Sequence, residues 1–277
     1  MSLESQLYNA TLVARSDHAP GLATFYVRPD TPFEPFTSGQ YVTLGLLGSE
    51  PRKNGSPAEY HEVNPEKLVQ RAYSIAAAGY EIDELEFMIS LVDNGSLTPR
   101  MWELVPGDRL AVGKKIVGSF TLEEMQTRTA VMVGTGSGLA PFISMLRQNL
   151  TRKIDVQFVL LHGAPRRSEL AYLTEFRALE KACPNFTYIP AISRPQLDPA
   201  GWRGMTGRLT QFFAKNGSLL TEMAGVDLDP TKADVYLCGN PNMINDIHGV
   251  LEPLGYTKHT KSKPGALHIE EYWREKE

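Results

Sequence analysis

The run VGTGSGLAPF (133–142) joins an apolar stretch to a helical pattern, and it is well suited to meet a phosphate. Gly134, Gly136 and Gly138 let the backbone approach a ligand closely, and a helix start offers N–H groups that its own turns leave unsatisfied. Leu139 stands where a strict GxGxxG has its third glycine, and the GK[ST] ending of a P-loop is absent. A tight strand-to-helix turn with no ligand uses the same glycines, so the pattern alone leaves both readings open. RAYS (71–74) offers a second set of groups. Arg71 can pair with a phosphate, Tyr73 can stack on a flat ring and Ser74 can hydrogen-bond a ring heteroatom, although an ordinary edge strand reads the same way. DNGSLTPR (93–100) is a Gly/Ser/Thr turn that leads into a short helical turn, MWEL, and could equally be a plain surface turn.

Composition narrows what chemistry these groups serve. The 277 residues are 42% hydrophobic and 22% charged, which is ordinary for a folded protein. A net charge of −4 argues against a protein that coats nucleic acid or an anionic membrane. No apolar run approaches the ~20 residues of a membrane span, and the start MSLESQLYNATLVARSD has no signal-peptide core, so a cytoplasmic protein is expected. Two cysteines, Cys183 and Cys238, exclude a disulfide framework and any all-cysteine iron–sulfur cluster. The six histidines show no metal-ligand spacing, and no metal is expected. Redox chemistry here falls to a bound organic cofactor.

The elements that must position these groups change character along the chain. Up to about residue 120 the apolar pattern has period two, in LATFYVRP (22–29), QYVTLGL (40–46), LEFMISLV (85–92) and RLAVG (109–113). RAYS begins a further strand after the polar loop 49–67. In LEFMISLV, Leu85, Phe87, Ile89 and Leu91 share one face, while Glu86, Met88 and Ser90 share the other. Short strands without long helices predict an antiparallel barrel. From residue 129 apolar runs alternate with helical patterns: TAVMVG (129–134), VQFVLLHG (156–163), FTYIPAIS (186–193), DVYLCG (234–239) and ALHIEEYW (266–273). Pro141 suits a first helical position, and Asn240 is a good N-cap for a helix that runs toward Gly255. This alternation predicts a parallel sheet with helices on both faces. The two domains are expected to span 1–120 and 128–277.

Taken in order, RAYS, GSLTPR, GTGSGLAPF and YLCGNP (236–241) resemble the ferredoxin–NADP reductase family. FTSGQYVTLGL, LVPGDRLAV and HGAPRRSELAY fit as well, and the ending EEYW is similar to the bacterial branch. The resemblance implies an FAD-binding Greek-key β-barrel followed by an NADP-binding α/β domain with a five-stranded parallel sheet. Arg71 then contacts the FAD pyrophosphate, Ala72 lies beside it, Tyr73 stacks on the flavin ring and Ser74 lies near flavin N5. Met88, Ser96, Leu97 and Thr98 line the ribityl and pyrophosphate path, Thr135 falls between flavin and nicotinamide, and Tyr272 and Trp273 cover the flavin. Gly134, Gly136 and Gly138 hold the NADP pyrophosphate, and Cys238 lies beside the nicotinamide, where a small buried hydrophobe would also fit. Ser193, Arg194 and Arg208 match the positions that take the 2′-phosphate of NADP. Asn240, Pro241, Asn242 and Asp246 match nucleotide contacts, with Asn240 also explained as a cap. Relatives carry Arg where Pro165 stands, so here the cation is shifted to the next position, Arg166. Loop 49–67 is longer than in compact bacterial members, and the chain continues past Trp273.

The activity implied is FAD-dependent electron transfer between NADP(H) and a ferredoxin or flavodoxin. A hydride passes between nicotinamide C4 and flavin N5, and single electrons pass to the acceptor. Ser74, Cys238 and Tyr73 are the residues implied at the reacting rings. Two other readings stay open: a flavin reductase feeding an oxygenase, and a protein that kept the fold but lost the activity. Ferredoxins and flavodoxins are acidic, so an acidic chain needs a local basic patch to meet one. Lys114 and Lys115, or Lys258, Lys261 and Lys263, are candidates.

Overall fold

The structure is a computed structural model, and it describes residues 7–198 and 201–271. The chain divides into two compact units between Thr121 and Leu122. The first unit holds β1 (Ala10–Ala19), β2 (Leu22–Pro29), β3 (Tyr41–Leu47), β4 (Leu68–Ser74), β5 (Leu85–Ser90), the single helical turn α1 (Thr98–Met101) and β6 (Arg109–Val112). Its strands form one antiparallel sheet in the order β4-β3-β6-β1-β2-β5. Just past β4, Ala76 N–H donates to the Glu86 carbonyl of β5 at 2.7 Å, so the two ends of that order meet and the sheet closes as a barrel. Leu12, Phe25, Val27, Leu44, Leu85, Phe87 and Ile89 fill the interior.

Three features of this barrel differ from the sequence expectation. β1 has no counterpart among the predicted strands, because after Leu12 its sequence ARSDHA breaks the apolar alternation. It forms nonetheless, paired with β2 along its whole length, from Ala10 opposite Pro29 to Ala19 opposite Leu22. RAYS ends β4 rather than beginning it, since the pairing with β3 starts earlier, at Leu68 opposite Leu47. In β5 both faces are covered, so Glu86 and Met88 are buried along with Leu85 and Phe87.

The second unit holds β7 (Thr129–Thr135), α2 (Ala140–Asn149), β8 (Gln157–Ala164), α3 (Leu173–Ala182), β9 (Phe186–Ile192), β10 (Met205–Thr206), α4 (Ala214–Ala224), β11 (Asp234–Cys238), α5 (Pro241–Leu251) and β12 (Leu267–Glu270). The strands are parallel in the order β10-β9-β8-β7-β11-β12. Five expected strands are present, and the two-residue β10 adds a sixth at the edge beside β9. From β7 the chain first builds outward through β8, β9 and β10. It then returns to place β11 on the opposite side of β7. The order therefore reverses between β7 and β11, and open parallel sheets bind ligands beyond the carboxyl ends of strands at such a reversal. Buried Asp234 braces the other end of this pair. It accepts from Thr127 N–H at 2.8 Å, Thr127 Oγ1 at 2.7 Å and His268 Nε2 at 3.1 Å, tying the entry of β7 to β11 and β12.

His162 lies fully buried in β8, with Nδ1 2.9 Å from the Tyr188 hydroxyl and the Phe176 ring set edge-on to it. Burial pulls its pKa down to about 3. An unfolded histidine titrates near 6.5, so between these values the unfolded chain binds the extra proton. The stability that neutral His162 contributes is fully present above about pH 6.5 and is lost as pH falls toward 3, by up to about 1.4 kcal/mol per pH unit. Urea unfolding of wild type and His162→Gln at a series of pH values checks this. The stability difference, wild type minus variant, is expected to shrink steadily from pH 7 to pH 4.5, and a pH-independent difference contradicts it.

Candidate nucleotide-binding sites

In the barrel, the β3–β4 register places Arg71 opposite Leu44, Tyr73 opposite Val42 and Ser74 opposite Tyr41. Strand alternation puts Arg71 and Tyr73 on one face, with Ala72 and Ser74 on the other. Tyr73 is half-buried against the barrel core. Burial pushes its phenol pKa up, against the opposing pull of the Arg71 charge, so the ring is a neutral stacking surface across the physiological range. Arg71 is exposed, and among the described residues its Nη1 donates only to the neighbouring Gln70 carbonyl, at 2.7 Å. Ala72 is exposed, whereas Ser74 and Met88 are buried.

The turn before α1 is held from inside. Gly95 N–H donates to the Val92 carbonyl at 2.8 Å, and Thr98 Oγ1 accepts from Val92 N–H at 2.9 Å. The Leu97 carbonyl accepts from Arg100 N–H and Met101 N–H, both at 3.0 Å. The N–H groups of Ser96, Leu97 and Thr98 donate to no group among the described residues. Three consecutive donors without a partner among the described residues suit a pyrophosphate, and on β4 an exposed guanidinium and a ring face suit an anion and a flat ring.

In the second unit, the loops after β7 and β11 cross at their glycines. A Cβ on Gly138 would lie 2.4 Å from the Gly239 Cα and nitrogen. Gly239 has φ +128°, and a Cβ there would lie 2.4 Å from Thr135 Oγ1. That oxygen accepts from Asn240 N–H at 2.9 Å, so Thr135 serves to join the two loops. Gly136 takes a left-handed φ of +55°, and Gly134 lies so close to α2 that a Cβ would be 3.1 Å from the Phe142 ring. Asn240 caps α5, its Oδ1 accepting from Asn242 N–H at 2.9 Å and Met243 N–H at 3.2 Å. Cys238, the last residue of β11, is fully buried opposite Gly134. Asn242 and Asp246 are exposed on α5, and Pro241 opens that helix.

The arginines fall into one row. Ala164 of β8 pairs with Ile192 of β9, and Ile192 pairs with Thr206 of β10. Arg166, Arg194 and Arg208 each stand two residues beyond those positions, at the carboxyl end of three adjacent parallel strands. The row is continued by Ser193 N–H and Arg194 N–H donating to the Ala164 and Pro165 carbonyls, and by Gly207 N–H donating to the Ile192 carbonyl, all at 2.9 Å. All three arginines and Ser193 are exposed. Arg166 approaches Glu169 at 4.0 Å, while the guanidinium groups of Arg194 and Arg208 have no partner among the described residues. β10 carries no periodic signal in its two residues, so the register that aligns the row could not be read from the sequence. Tyr272 and Trp273 lie outside the described residues.

Among the described residues no group of three His, Cys, Asp or Glu side chains could hold a metal ion. No described helix is long and apolar enough to cross a membrane.

Residues 132–249 match the oxidoreductase NAD-binding domain family. The chain is 32% identical to the flavodoxin/ferredoxin–NADP reductase of Escherichia coli K12, over 91% of this chain and 93% of that one. It is 31% identical to the enzyme of the same name from Buchnera aphidicola, over 90% and 92%. A crystal structure of a ferredoxin NADP+ reductase from Neisseria gonorrhoeae with bound FAD and NADP superposes with a TM-score of 0.77 at 26% identity, covering 95% of this chain and 97% of that one. With the flavin-suited turn on the barrel and the arginine row on the parallel sheet, these likenesses make the chain a member of the flavodoxin/ferredoxin–NADP reductase family.

Proposed function

We propose that this protein carries electrons between NADP(H) and a ferredoxin or flavodoxin, using FAD held by residues within 1–120 and NADP(H) held within 128–277. The observation that carries the NADP assignment is the row of Arg166, Arg194 and Arg208 at one sheet rim. A site for NAD needs a carboxylate for a ribose diol, whereas a 2′-phosphate needs cations there. FAD, when bound, supplies the conversion between a hydride from NADPH and single electrons for the acceptor. The chain's own role is to bind and to orient. Arg71 would pair with the FAD pyrophosphate and the Ser96–Thr98 N–H groups would donate hydrogen bonds to it, with Leu97 fixed in the core beneath them. Tyr73 supports the ring face, Ala72 leaves room beside it, and Met88 packs behind the ribityl chain. Ser74 offers a hydroxyl to the N5 edge, and Cys238 and Thr135 meet the nicotinamide side. Gly134, Gly136 and Gly138 admit the NADP pyrophosphate. Ser193 supports the 2′-phosphate, and Asn240, Pro241, Asn242 and Asp246 border the nucleotide. No residue in this scheme needs to change its protonation state.

Removing Arg194 or Arg208 deletes a charge-assisted contact worth roughly 1.5–3 kcal/mol, so Arg194→Ala and Arg208→Ala are each expected to raise the KM for NADPH about 10- to 100-fold. The KM for NADH is expected to change little. Steady-state kinetics with both nucleotides checks this, and an equal loss with both shows that the arginines do not read the 2′-phosphate.

Tyr73→Ala deletes a ring-sized stacking surface and is expected to release FAD on gel filtration, while Tyr73→Phe retains it. Stoichiometric flavin in the alanine variant contradicts the assignment.

Lys114 and Lys115 are exposed just after β6, and Lys258, Lys261 and Lys263 are exposed between α5 and β12. A docking patch built on either group makes reduction of an acidic protein acceptor fall with added salt, since screening acts over ~10 Å at 0.1 M. Reduction of an uncharged dye at saturating NADPH is expected to stay nearly constant. Lys114→Glu with Lys115→Glu is expected to slow the protein acceptor and spare the dye; no change in either places the docking face elsewhere.

A further inference from the structure

Loop 49–67 is not a free surface loop. Glu59 Oε1 lies 2.8 Å from Arg100 Nη1 and 3.5 Å from Arg52 Nε, so one carboxylate bridges two guanidinium groups. Arg100 is only 5% exposed, and Glu59 and Arg52 are largely buried with it. The two arginines and the Tyr60 N–H together hold four successive carbonyls of the turn. Arg52 Nη2 donates to Asp93 and to Gly95, each at 3.3 Å. Tyr60 N–H donates to Asn94 at 3.3 Å, and Arg100 Nη1 donates to Ser96 at 2.5 Å. Lys53 N–H adds a bond to the Pro99 carbonyl at 2.9 Å, and Arg100 Nη2 anchors to Gly48 at 2.6 Å.

Peptide geometry turns this grip into a means of aiming donors. A trans peptide is planar, so the C=O of one residue points opposite to the N–H of the next. Holding the Gly95 carbonyl aims the Ser96 N–H, and holding the Ser96 carbonyl aims the Leu97 N–H. The Leu97 carbonyl, taken by α1, aims the Thr98 N–H. All three free donors of the turn are thus directed by what grips the carbonyls behind them. The grip is not optimised for stability, because Glu59 Oε2 and Arg100 Nε are buried with no hydrogen-bond partner among the described residues.

We propose that residues 52–60 are a strap that pre-organises the Ser96–Thr98 donors for the FAD pyrophosphate, with Glu59 as the positioning residue that keeps Arg52 and Arg100 in place. This rests on the reading of that turn as the pyrophosphate site. FAD titration of the full-length apoprotein, followed by flavin fluorescence, tests it in Glu59→Gln, Arg52→Met and Arg71→Ala. Glu59→Gln is expected to raise the FAD dissociation constant about tenfold or more, the loss of one charge-assisted contact. Arg52→Met is expected to raise it less. Both are expected to keep the wild-type visible circular dichroism at saturating FAD and the apoprotein melting temperature. Dissociation constants within twofold of wild type in both variants overturn the strap. So does a loss of affinity matched by a lower apoprotein melting temperature and an altered ring spectrum, which marks a merely structural role. If Glu59→Gln does not fold, Arg52→Met alone decides by the same criteria. Weakened FAD in Arg71→Ala with no effect in the strap variants rejects the strap alone, whereas unchanged FAD in Arg71→Ala rejects the pyrophosphate assignment and the strap with it.

Discussion

The second unit depends on one close passage. Where β7 and β11 lie side by side, the loops leaving them approach until neither Gly138 nor Gly239 has room for a methyl group. The Thr135–Asn240 bond fastens that crossing, and Asn240 in turn sets the first turn of α5. Close approach of backbone to backbone also determines what can lie above it, since glycines stand there where side chains would otherwise project. The reversal of strand order and the glycine-rich loop are therefore one arrangement. The sheet supplies the gap, and the glycines keep it narrow.

The barrel turn proposed for the pyrophosphate presents its donors without a long helix. It runs straight into α1, too short a helix to contribute much dipole. Direction comes from the carbonyl side, through Arg52, Arg100 and the Tyr60 N–H. Charge follows the same economy. The chain is net acidic, yet exposed cations stand at Arg71 on β4 and in the row beyond β8, β9 and β10, the positions proposed to hold phosphates.

Much of this was legible in the sequence for reasons that differ between the units. The strands of the parallel sheet are buried on both faces, and TAVMVG, VQFVLLHG and DVYLCG read as apolar runs for that cause. Pro141 and Asn240 announced helix starts because capping is local chemistry. β1 escaped notice because Arg15, Ser16, Asp17 and His18 interrupt its alternation, and its pairing with β2 supplies what its sequence does not. RAYS reads as a set of groups suited to a ligand but does not show where β4 begins, since register belongs to the partner strand. The three arginines stood out as charges near strand ends, yet their common level depends on a two-residue strand. Arg52, Glu59 and Arg100 carried no signal at all, because a bridge between residues so distant along the chain is visible only once the turn and the loop are folded together.

The arginine row also bears on how cofactor preference can change over evolutionary time. Arg194 and Arg208 protrude past the strands that align them, and their guanidinium groups make no hydrogen bond or ion pair with any described residue. Neither belongs to the buried core. Exchanging them leaves strand pairing, helix caps and the glycine crossing untouched. On the proposed reading of the row, nucleotide preference is uncoupled from foldability on this rim. A lineage can drift from a phosphorylated to an unphosphorylated dinucleotide through viable intermediates, whereas the crossing at Gly138 and Gly239 tolerates no such wandering.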